Sequence, residues 1–267
     1  MIDQKGEDPK LSHKGDLLSL ASHELRTTLS IVKWYTEMLL DGDCGPLNDD
    51  QIKYLKTIEA SNQRGIDLIK SLLNVSRLDL GTFCINPTDT DIRTVIQEAI
   101  EQYTKKLKEK NIRIVKEYDE NAEKSSHYTF LLDKQITLVL LKSLLSNAIT
   151  FSKNDSEIHI AFNEVNVGKS IGGGSVKTDS FVISVKDNGI GIPKVDQGKV
   201  FTKLFKASNA GNVDENGGGL SLYIVHTILS KIGGGSWFQS EENVGTTFYI
   251  AIPRKGMPKK EGKTSLD

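Results

Sequence analysis

The chain has 267 residues, and its 34 lysine and arginine residues nearly balance its 35 aspartate and glutamate residues, for a net charge of −1. The length suits one large domain or two ordinary ones, and the charge balance argues against a nucleic-acid-binding protein. Two cysteines are too few for a disulfide scaffold or a four-ligand zinc site. The sequence contains neither a membrane-spanning apolar run nor a signal-peptide pattern. We therefore expect a cytoplasmic chain with a sizeable core, either complete or part of a longer protein.

Two long helices are predicted over residues 12–80, after a flexible lead-in over residues 1–11. Apolar residues recur every seven positions in the first helix, at Leu18, Leu25, Val32 and Leu39. A glycine-rich turn follows, and a second apolar seam predicts the second helix. Such a hairpin buries only part of its apolar surface alone. We expect two copies to pair into a four-helix bundle, and docking onto the following domain is the alternative.

The second predicted unit, residues 83–253, mixes helices and strands in mostly antiparallel pairing. Apolar periodicity predicts helices over 91–110, 133–151 and 220–232. Alternation predicts strands over 112–118, 157–165 and 180–187, with two more strands closing the unit. Residues 189–217 carry little periodicity and are typical of a lid or a disordered loop. The basic tail over residues 254–267 has few apolar residues, and we expect it to be disordered.

His23 lies on the face of the first helix opposite the apolar seam. Glu24 is adjacent, and Thr27 follows one turn later on the same face. A neighbouring carboxylate can keep one imidazole nitrogen protonated, which leaves the other nitrogen free as a nucleophile. A surface histidine without a chemical role is the alternative.

Three further patterns suit a bound nucleotide, and each also has a purely structural explanation. Asn147 in a buried helix is either a structural hydrogen-bonding residue or an oxygen ligand for magnesium. Asp187, followed by Gly189 and Gly191, suits an acceptor for an exocyclic amine beside a turn that a flat ligand can approach, or a simple strand-end turn. The glycines at 217–219 precede a helix whose N-terminus can bind phosphate, but a flexible linker has the same composition.

Taken in order, these motifs resemble the catalytic core of bacterial two-component sensor histidine kinases over residues 12–253. SHELRTTLS resembles the family's H box, LLSNAITFS its N box and DNGIGI its first glycine box. VFTKLFKASNA resembles the F box and GGGLSLYIV the second glycine box. The resemblance implies an α+β fold. A dimerisation and phosphotransfer hairpin over 12–80 would precede an α/β-sandwich ATP-binding domain of the histidine kinase, gyrase and Hsp90 type over 83–253.

The resemblance also implies a reaction, in which His23 attacks the γ-phosphate of ATP. Glu24 would act as base or orient the imidazole, and Thr27 would position a water when the protein dephosphorylates its partner. ATP and Mg²⁺ would be the cofactors, with Asn147 as the magnesium ligand and as part of the nucleotide pocket. The other implied pocket residues are Phe151, Asp187, Gly189, Gly191, Lys206, Gly217, Gly219 and Leu220.

Two partners follow from the same resemblance: a second copy of the chain, and the receiver domain of a response regulator, whose aspartate takes the phosphoryl group. The family resemblance also allows the chain to be the cytosolic part of a longer membrane sensor. No membrane segment and no nucleic-acid partner is expected for the chain itself.

The sequence departs from the family's motifs at four positions. Thr28 replaces the H-box proline, which predicts a straighter helix past the histidine. Ser143 replaces the first N-box asparagine, Thr150 a basic N-box residue, and Ser221 the last glycine of the second glycine box. Each lost phosphate contact would cost about 1–3 kcal/mol. The alternative is therefore a degenerate kinase that dimerises and binds nucleotide or regulator without efficient phosphotransfer.

Overall fold

The computed structural model describes residues 9–118, 128–212, 218–262 and 264–266, with side chains described from residue 24 onward, apart from that of residue 212. The chain divides into two compact units, Met1–Gly81 and Thr82–Asp267. Within the described residues, every helix is too short or too polar to cross a membrane.

The first unit is a hairpin of two long helices, α1 (Pro9–Leu40) and α2 (Asp49–Leu80). Asn48 and Gln51 form a reciprocal capping box at the start of α2, in which each side chain accepts the backbone N–H of the other residue. Gly81 ends α2 in the left-handed conformation, with φ of 66°. The predicted helical hairpin is confirmed, but α1 begins inside the lead-in expected to be flexible, since proline is well tolerated in a first helical turn.

The two helices meet through a face of α1 other than the predicted seam. Asn62 of α2 donates its Nδ2 hydrogen to the Leu29 carbonyl oxygen at 2.8 Å, and Thr36 is buried. The seam residues Leu25 and Val32 are instead 53% and 38% exposed. A single hairpin therefore leaves much of the heptad pattern in contact with solvent.

The second unit contains four helices and nine strands within the described residues. The helices are α3 (Ile92–Glu101), α4 (Thr104–Glu109), α5 (Lys134–Phe151) and α6 (Ser221–Lys231). The strands are β1 (Thr88–Asp91), β2 (Arg113–Glu117), β3 (Thr129–Leu132), β4 (Glu157–Val165), β5 (Ser170–Ile171), β6 (Gly174–Ser175), β7 (Ser180–Asp187), β8 (Gly235–Glu241) and β9 (Gly245–Pro253). The predicted helix over 91–110 is broken between α3 and α4. At the break, the Tyr103 hydroxyl donates a hydrogen bond to the Lys142 carbonyl oxygen at 3.3 Å.

Five strands form one sheet in the order β2-β4-β7-β9-β8. Only β2 and β4 pair in parallel, and the other neighbours are antiparallel, as the sequence predicts. Helices α5 and α6 pack on this sheet, with α3 beside α5. The central strand β7 has all but one of its residues buried, which suits a strand covered on both faces. The predicted α+β fold, with a helical hairpin followed by an α/β unit, is confirmed.

A second apolar cluster lies where the β5–β6 hairpin covers the sheet. The rings of Trp237 and Tyr249 stack there with centroids 5.5 Å apart. A Cβ atom at Gly172 would lie 2.2 Å from the Tyr249 ring, and one at Gly174 would lie 2.4 Å from the Trp237 ring. Glycine at these two positions therefore lets the hairpin backbone approach the aromatic pair.

Lys260 and Thr264, near the end of the chain, pair with the segment that opens the second unit. The backbone N–H of Cys84 donates to the Thr264 carbonyl oxygen at 2.9 Å. Ile85 and Lys260 exchange two backbone hydrogen bonds, of 2.8 and 3.0 Å. We call residues 256–266 the C-terminal clasp.

For the described residues 254–262 and 264–266, the clasp contradicts the prediction of a disordered tail over residues 254–267. Met257 and Leu266 are each 2% exposed, so both ends of the clasp are buried. The sequence expectation was wrong because the clasp needs few apolar side chains. Its backbone hydrogen bonds also hold it in place, and the amino-acid composition does not reveal such bonds.

We predict that Met257→Ala will lower the free energy of unfolding by roughly 2–5 kcal/mol, because truncation of a buried methionine leaves a cavity. Urea denaturation followed by circular dichroism measures the change. The matched control is Lys259→Ala, which truncates an exposed side chain of the same segment. Equal midpoints for the two variants would contradict the buried clasp.

Candidate functional site

A cleft opens in the second unit beside the end of α5 and the start of α6. Its volume is about 890 Å³ when the open mouth is included. Its walls are mostly apolar, with a few polar groups between them. The apolar lining comprises Ile190, Ile192, Val200, Phe205, Leu222 and Phe248.

Several of the predicted pocket residues meet in this cleft. Those that line it are Asn147, Phe151, Asp187, Gly191, Lys206 and Gly219. Gly189 lies beneath the end of α5 rather than in the lining. The side chain of Leu220 packs in the core: it is 3% exposed and is not part of the cleft lining. Gly217 lies outside the described residues.

The residues predicted to act on the phosphoryl group belong to α1 in the first unit. Glu24 and Thr27 are exposed on this helix. The backbone of His23 is helical, and its side chain lies outside the described residues. The Thr28 hydroxyl donates to the Glu24 carbonyl oxygen at 3.0 Å, and α1 continues without a break, as expected where threonine replaces a helix-kinking proline.

Asp187 ends the central strand β7 and places a buried carboxylate in the cleft wall. Its Oδ1 accepts the backbone N–H groups of Gly189 at 2.9 Å and Thr246 at 3.2 Å. Within the described residues, Oδ2 accepts no hydrogen bond and remains available to a ligand. Burial raises the pKa of this carboxyl to about 6, although the two N–H donors oppose the shift.

Two glycines allow α5 to approach the turn that follows β7. A Cβ atom at Gly189 would lie 2.3 Å from the Phe151 carbonyl oxygen. Gly191 has φ of 62°, and its Cβ would lie 2.0 Å from the Glu241 carbonyl oxygen. The N–H of Ile190 donates to the Phe151 carbonyl oxygen at 3.3 Å. Any larger residue at either glycine would push the end of α5 or the β8–β9 turn away from the cleft.

The residues at the N-terminus of α6 also line the cleft. Leu220 occupies the N-cap and has no polar side-chain atom with which to cap the first N–H groups. These groups and the positive end of the helix dipole suit a phosphate. Gly219, just before the helix, has a left-handed φ of 62° and lies close to the lid backbone, since a Cβ there would lie 2.7 Å from the Phe205 carbonyl oxygen. Ser221, one of the departures from the family motif, begins the helix and lines the cleft.

Asn147 supplies an oxygen ligand that fits Mg²⁺. It lies one turn before Phe151 and lines the cleft, and its amide makes no hydrogen bond within the described residues. Magnesium needs few protein ligands when phosphate oxygens and waters complete its shell. The described residues hold no group of three acidic, histidine or cysteine side chains that could bind a metal unaided. The Ser143 hydroxyl instead donates to the Val139 carbonyl oxygen at 2.9 Å, within the helix.

The predicted lid is described as far as residue 212 and is folded there by side-chain hydrogen bonds. Asp196 accepts the backbone N–H and the hydroxyl of Ser208, both at 2.7 Å, and these donors lower its pKa. Asn209 donates to the Gly191 carbonyl oxygen at 3.1 Å. These bonds join residues within the lid, and two of those residues, Gly191 and Asn209, line the cleft.

Sequence reasoning missed two polar residues of the cleft, Asn209 and Thr246. The GTT motif that contains Thr246 resembles the family's closing strand, so a signal was present, but no site role was attached to it. Asn209 lies within the segment VFTKLFKASNA that resembles the F box, but no site role was attached to it either. Its Oδ1 is buried without a partner in the described residues, on the wall of the cleft.

Two protein families match the two units of the chain. Residues 13–81 match the model of the His Kinase A (phospho-acceptor) domain. Residues 133–256 match the model of the histidine kinase-, DNA gyrase B- and HSP90-like ATPases. The sensor-like histidine kinase SenX3 of Mycolicibacterium smegmatis is 26% identical over 267 residues, which cover 100% of this chain and 64% of SenX3. The chain thus spans less than two thirds of that relative.

Solved structures share the fold at lower identity. The full-length ShkA structure in complex with AMPPNP has a TM-score of 0.66 at 22% identity and covers 92% of this chain and 47% of ShkA. The histidine kinase ThkA in complex with the response regulator TrrA has a TM-score of 0.57 at 21% identity, over 92% of this chain and 63% of that chain. At these identities the likeness shows the fold alone.

We predict that adenine-nucleotide binding weakens as the pH falls through about 6, the pKa of Asp187. The proton binds Oδ2, which changes from an acceptor into a donor toward the ligand's amine. At about pH 7.5, Asp187→Asn should raise the Kd roughly tenfold to a hundredfold and should remove this pH dependence. Calorimetric titration with ADP between about pH 5 and pH 8 measures both effects.

The matched control for this prediction is Asp89→Asn, which neutralises an exposed carboxylate of the same unit. It should leave the Kd and its pH profile unchanged. Binding by the wild type that is flat across this pH range would contradict the role of the Asp187 carboxylate.

Proposed function

We propose that this chain, which belongs to the two-component sensor histidine kinases, phosphorylates His23 from Mg-ATP and passes the phosphoryl group to an aspartate of a response regulator. One observation carries the proposal. The unit that matches the ATPase family has a cleft lined both by a buried carboxylate and by the residues at an uncapped helix N-terminus. These features suit the two ends of an adenine nucleotide.

The base of the nucleotide would bind between Phe151 and the apolar wall that includes Ile190. Asp187 Oδ2 would accept the exocyclic amine of adenine. The phosphates would reach the N-terminus of α6, where Gly219 leaves room for them and Lys206 adds a positive charge. Asn147 would hold Mg²⁺, which supplies neutralisation of the phosphate charge.

The nucleophile in this proposal is the neutral imidazole of His23. Its free nitrogen attacks the γ-phosphorus, and the bond from that phosphorus to the oxygen bridging the β-phosphate breaks, so that ADP leaves. Glu24 orients the ring or accepts the proton of the other nitrogen. Phosphoryl transfer depends on positioning and charge neutralisation more than on covalent catalysis by the protein. An exposed histidine on a helix is therefore sufficient as acceptor.

The same helix supports a second, reverse activity toward the phosphorylated partner. Thr27 is exposed one turn after His23, and its hydroxyl can position a water for hydrolysis of the regulator's aspartyl phosphate. The ThkA complex with a response regulator, in which the kinase shares this fold, supports a receiver domain as partner.

A second copy of the chain is the other proposed partner. The hairpin exposes a set of large apolar residues, and the match to the phospho-acceptor domain covers this same region. A four-helix bundle of two hairpins would bury them. The exposed set comprises Leu25, Ile31, Val32, Trp34, Tyr35, Tyr54, Ile58, Leu68 and Leu72.

We predict that incubation with Mg²⁺ and γ-labelled ATP gives an acid-labile, base-stable label on the wild type. His23→Ala should abolish the label and leave the Kd for ADP unchanged, because the cleft belongs to the other unit. His13→Ala, which removes another histidine of α1, is the control and should keep the label. A label that survives in His23→Ala, or a wild type that binds ATP and stays unlabelled, would contradict the proposal.

We predict that Leu25→Glu combined with Val32→Glu converts a dimer into a monomer, because charges would enter the apolar interface. Light scattering coupled to size-exclusion chromatography measures the mass. Ser30→Glu adds a charge at an exposed polar position of the same helix and should leave the dimer intact. A wild type that is monomeric at micromolar concentration would argue against the bundle.

A further inference from the structure

Lys110, between α4 and β2, places its ammonium group at the carboxyl end of α5. Nζ donates to the carbonyl oxygens of Ile149 at 2.8 Å, Thr150 at 2.7 Å and Ser152 at 3.2 Å. A helix end leaves its last carbonyl groups without partners inside the helix, and a positive charge is favourable there. Lys110 thus caps α5 where a glycine often ends a helix, and Ser152 at the C-cap has extended backbone instead.

All of the hydrogen-bond donors of the ammonium group are used by these carbonyl groups. Its three donors match three acceptors, and no carboxylate pairs with Nζ within the described residues. Partial burial lowers the pKa of Lys110. Loss of the ammonium would leave three carbonyl groups at a helix end with fewer partners than they have now.

The segment around Lys110 also holds the turn that follows α5. The N–H of Asp155 donates to the Lys110 carbonyl oxygen at 3.0 Å. The neighbouring Asn111 donates its Nδ2 hydrogen to Asp155 Oδ1 at 2.7 Å. The end of α5 is therefore fixed by both the backbone and the side chain of this segment.

The far side of the same helix end forms part of the nucleotide cleft. Ser152 pairs with Gly189 as an isolated β-bridge, and the Ile190 N–H donates to the Phe151 carbonyl oxygen. Gly189 in turn donates to Asp187. A displacement of the last turn of α5 would move the Phe151 ring and the turn that shapes the Asp187 carboxylate.

We propose that Lys110 is a positioning residue for the nucleotide: its ammonium holds the last turn of α5 so that Phe151 and the 187–191 turn keep the shape that binds the base. This inference rests on the proposed function of the cleft. Lys110 itself is absent from the cleft lining, so its effect on the ligand is carried by the helix end.

The test compares Lys110→Met, which keeps the aliphatic length without the charge, with Lys110→Arg, which keeps charge and donors. ADP affinity is measured by calorimetry at a temperature where circular dichroism shows every variant folded. Lys110→Met should raise the Kd about tenfold, and Lys110→Arg should recover most of that loss. Lys105→Met, at an exposed lysine of α4, is the control and should bind as the wild type does.

Two further readouts separate positioning from a general loss of stability. The KM for ATP in His23 labelling should rise by the same factor as the Kd, while the rate at saturating ATP stays within about twofold. The second readout is a double-mutant cycle with Phe151→Leu. In the Phe151→Leu background, Lys110→Met should raise the Kd less than about threefold, because its effect on the ligand passes through the turn that holds Phe151.

Two results would overturn this proposal and leave the proposed function standing. One is an unchanged Kd in Lys110→Met. The other is that Lys110→Met raises the Kd by the same factor in the wild type and in Phe151→Leu. A wild type that binds no nucleotide would overturn both, and that failure is visible without any variant.

Discussion

A carboxylate buried at the end of the central strand is the constraint on which the cleft depends. Asp187 keeps its place because one oxygen accepts N–H groups from the following turn and from the start of β9. Those donors only partly offset the cost of burial, so its pKa stays high. Asp187 lines the cleft, and within the described residues its second oxygen accepts no hydrogen bond.

Two helices reach the cleft with ends of opposite partial charge, and only one of these ends is capped by a side chain. The N-terminus of α6 lacks a polar cap, which keeps its N–H groups for an anionic ligand. The C-terminus of α5 carries the opposite partial charge and is neutralised by Lys110. A ligand with a neutral base and a charged phosphate chain matches this division.

Periodicity and motif order predicted the two units, most of the sheet, and cleft residues such as Asn147 and Asp187, because these features are encoded locally. The local sequence did not show that the Leu220 side chain, which follows the left-handed Gly219, packs in the core. Lys110 was not identified because nothing in the local sequence separates it from the neighbouring lysines of α4. The family motifs gave Asn209 no role, and its place in the cleft depends on how the lid folds.

The clasp has a consequence for how this protein is made. Phe83 packs under Lys260, 177 positions later in the chain, so this contact cannot form until the ribosome has made the residues between them. Closing so long a loop is entropically costly and slows folding. During synthesis the apolar residues Phe83 and Ile85 remain exposed, and the nascent chain is most open to aggregation and chaperone binding in that interval.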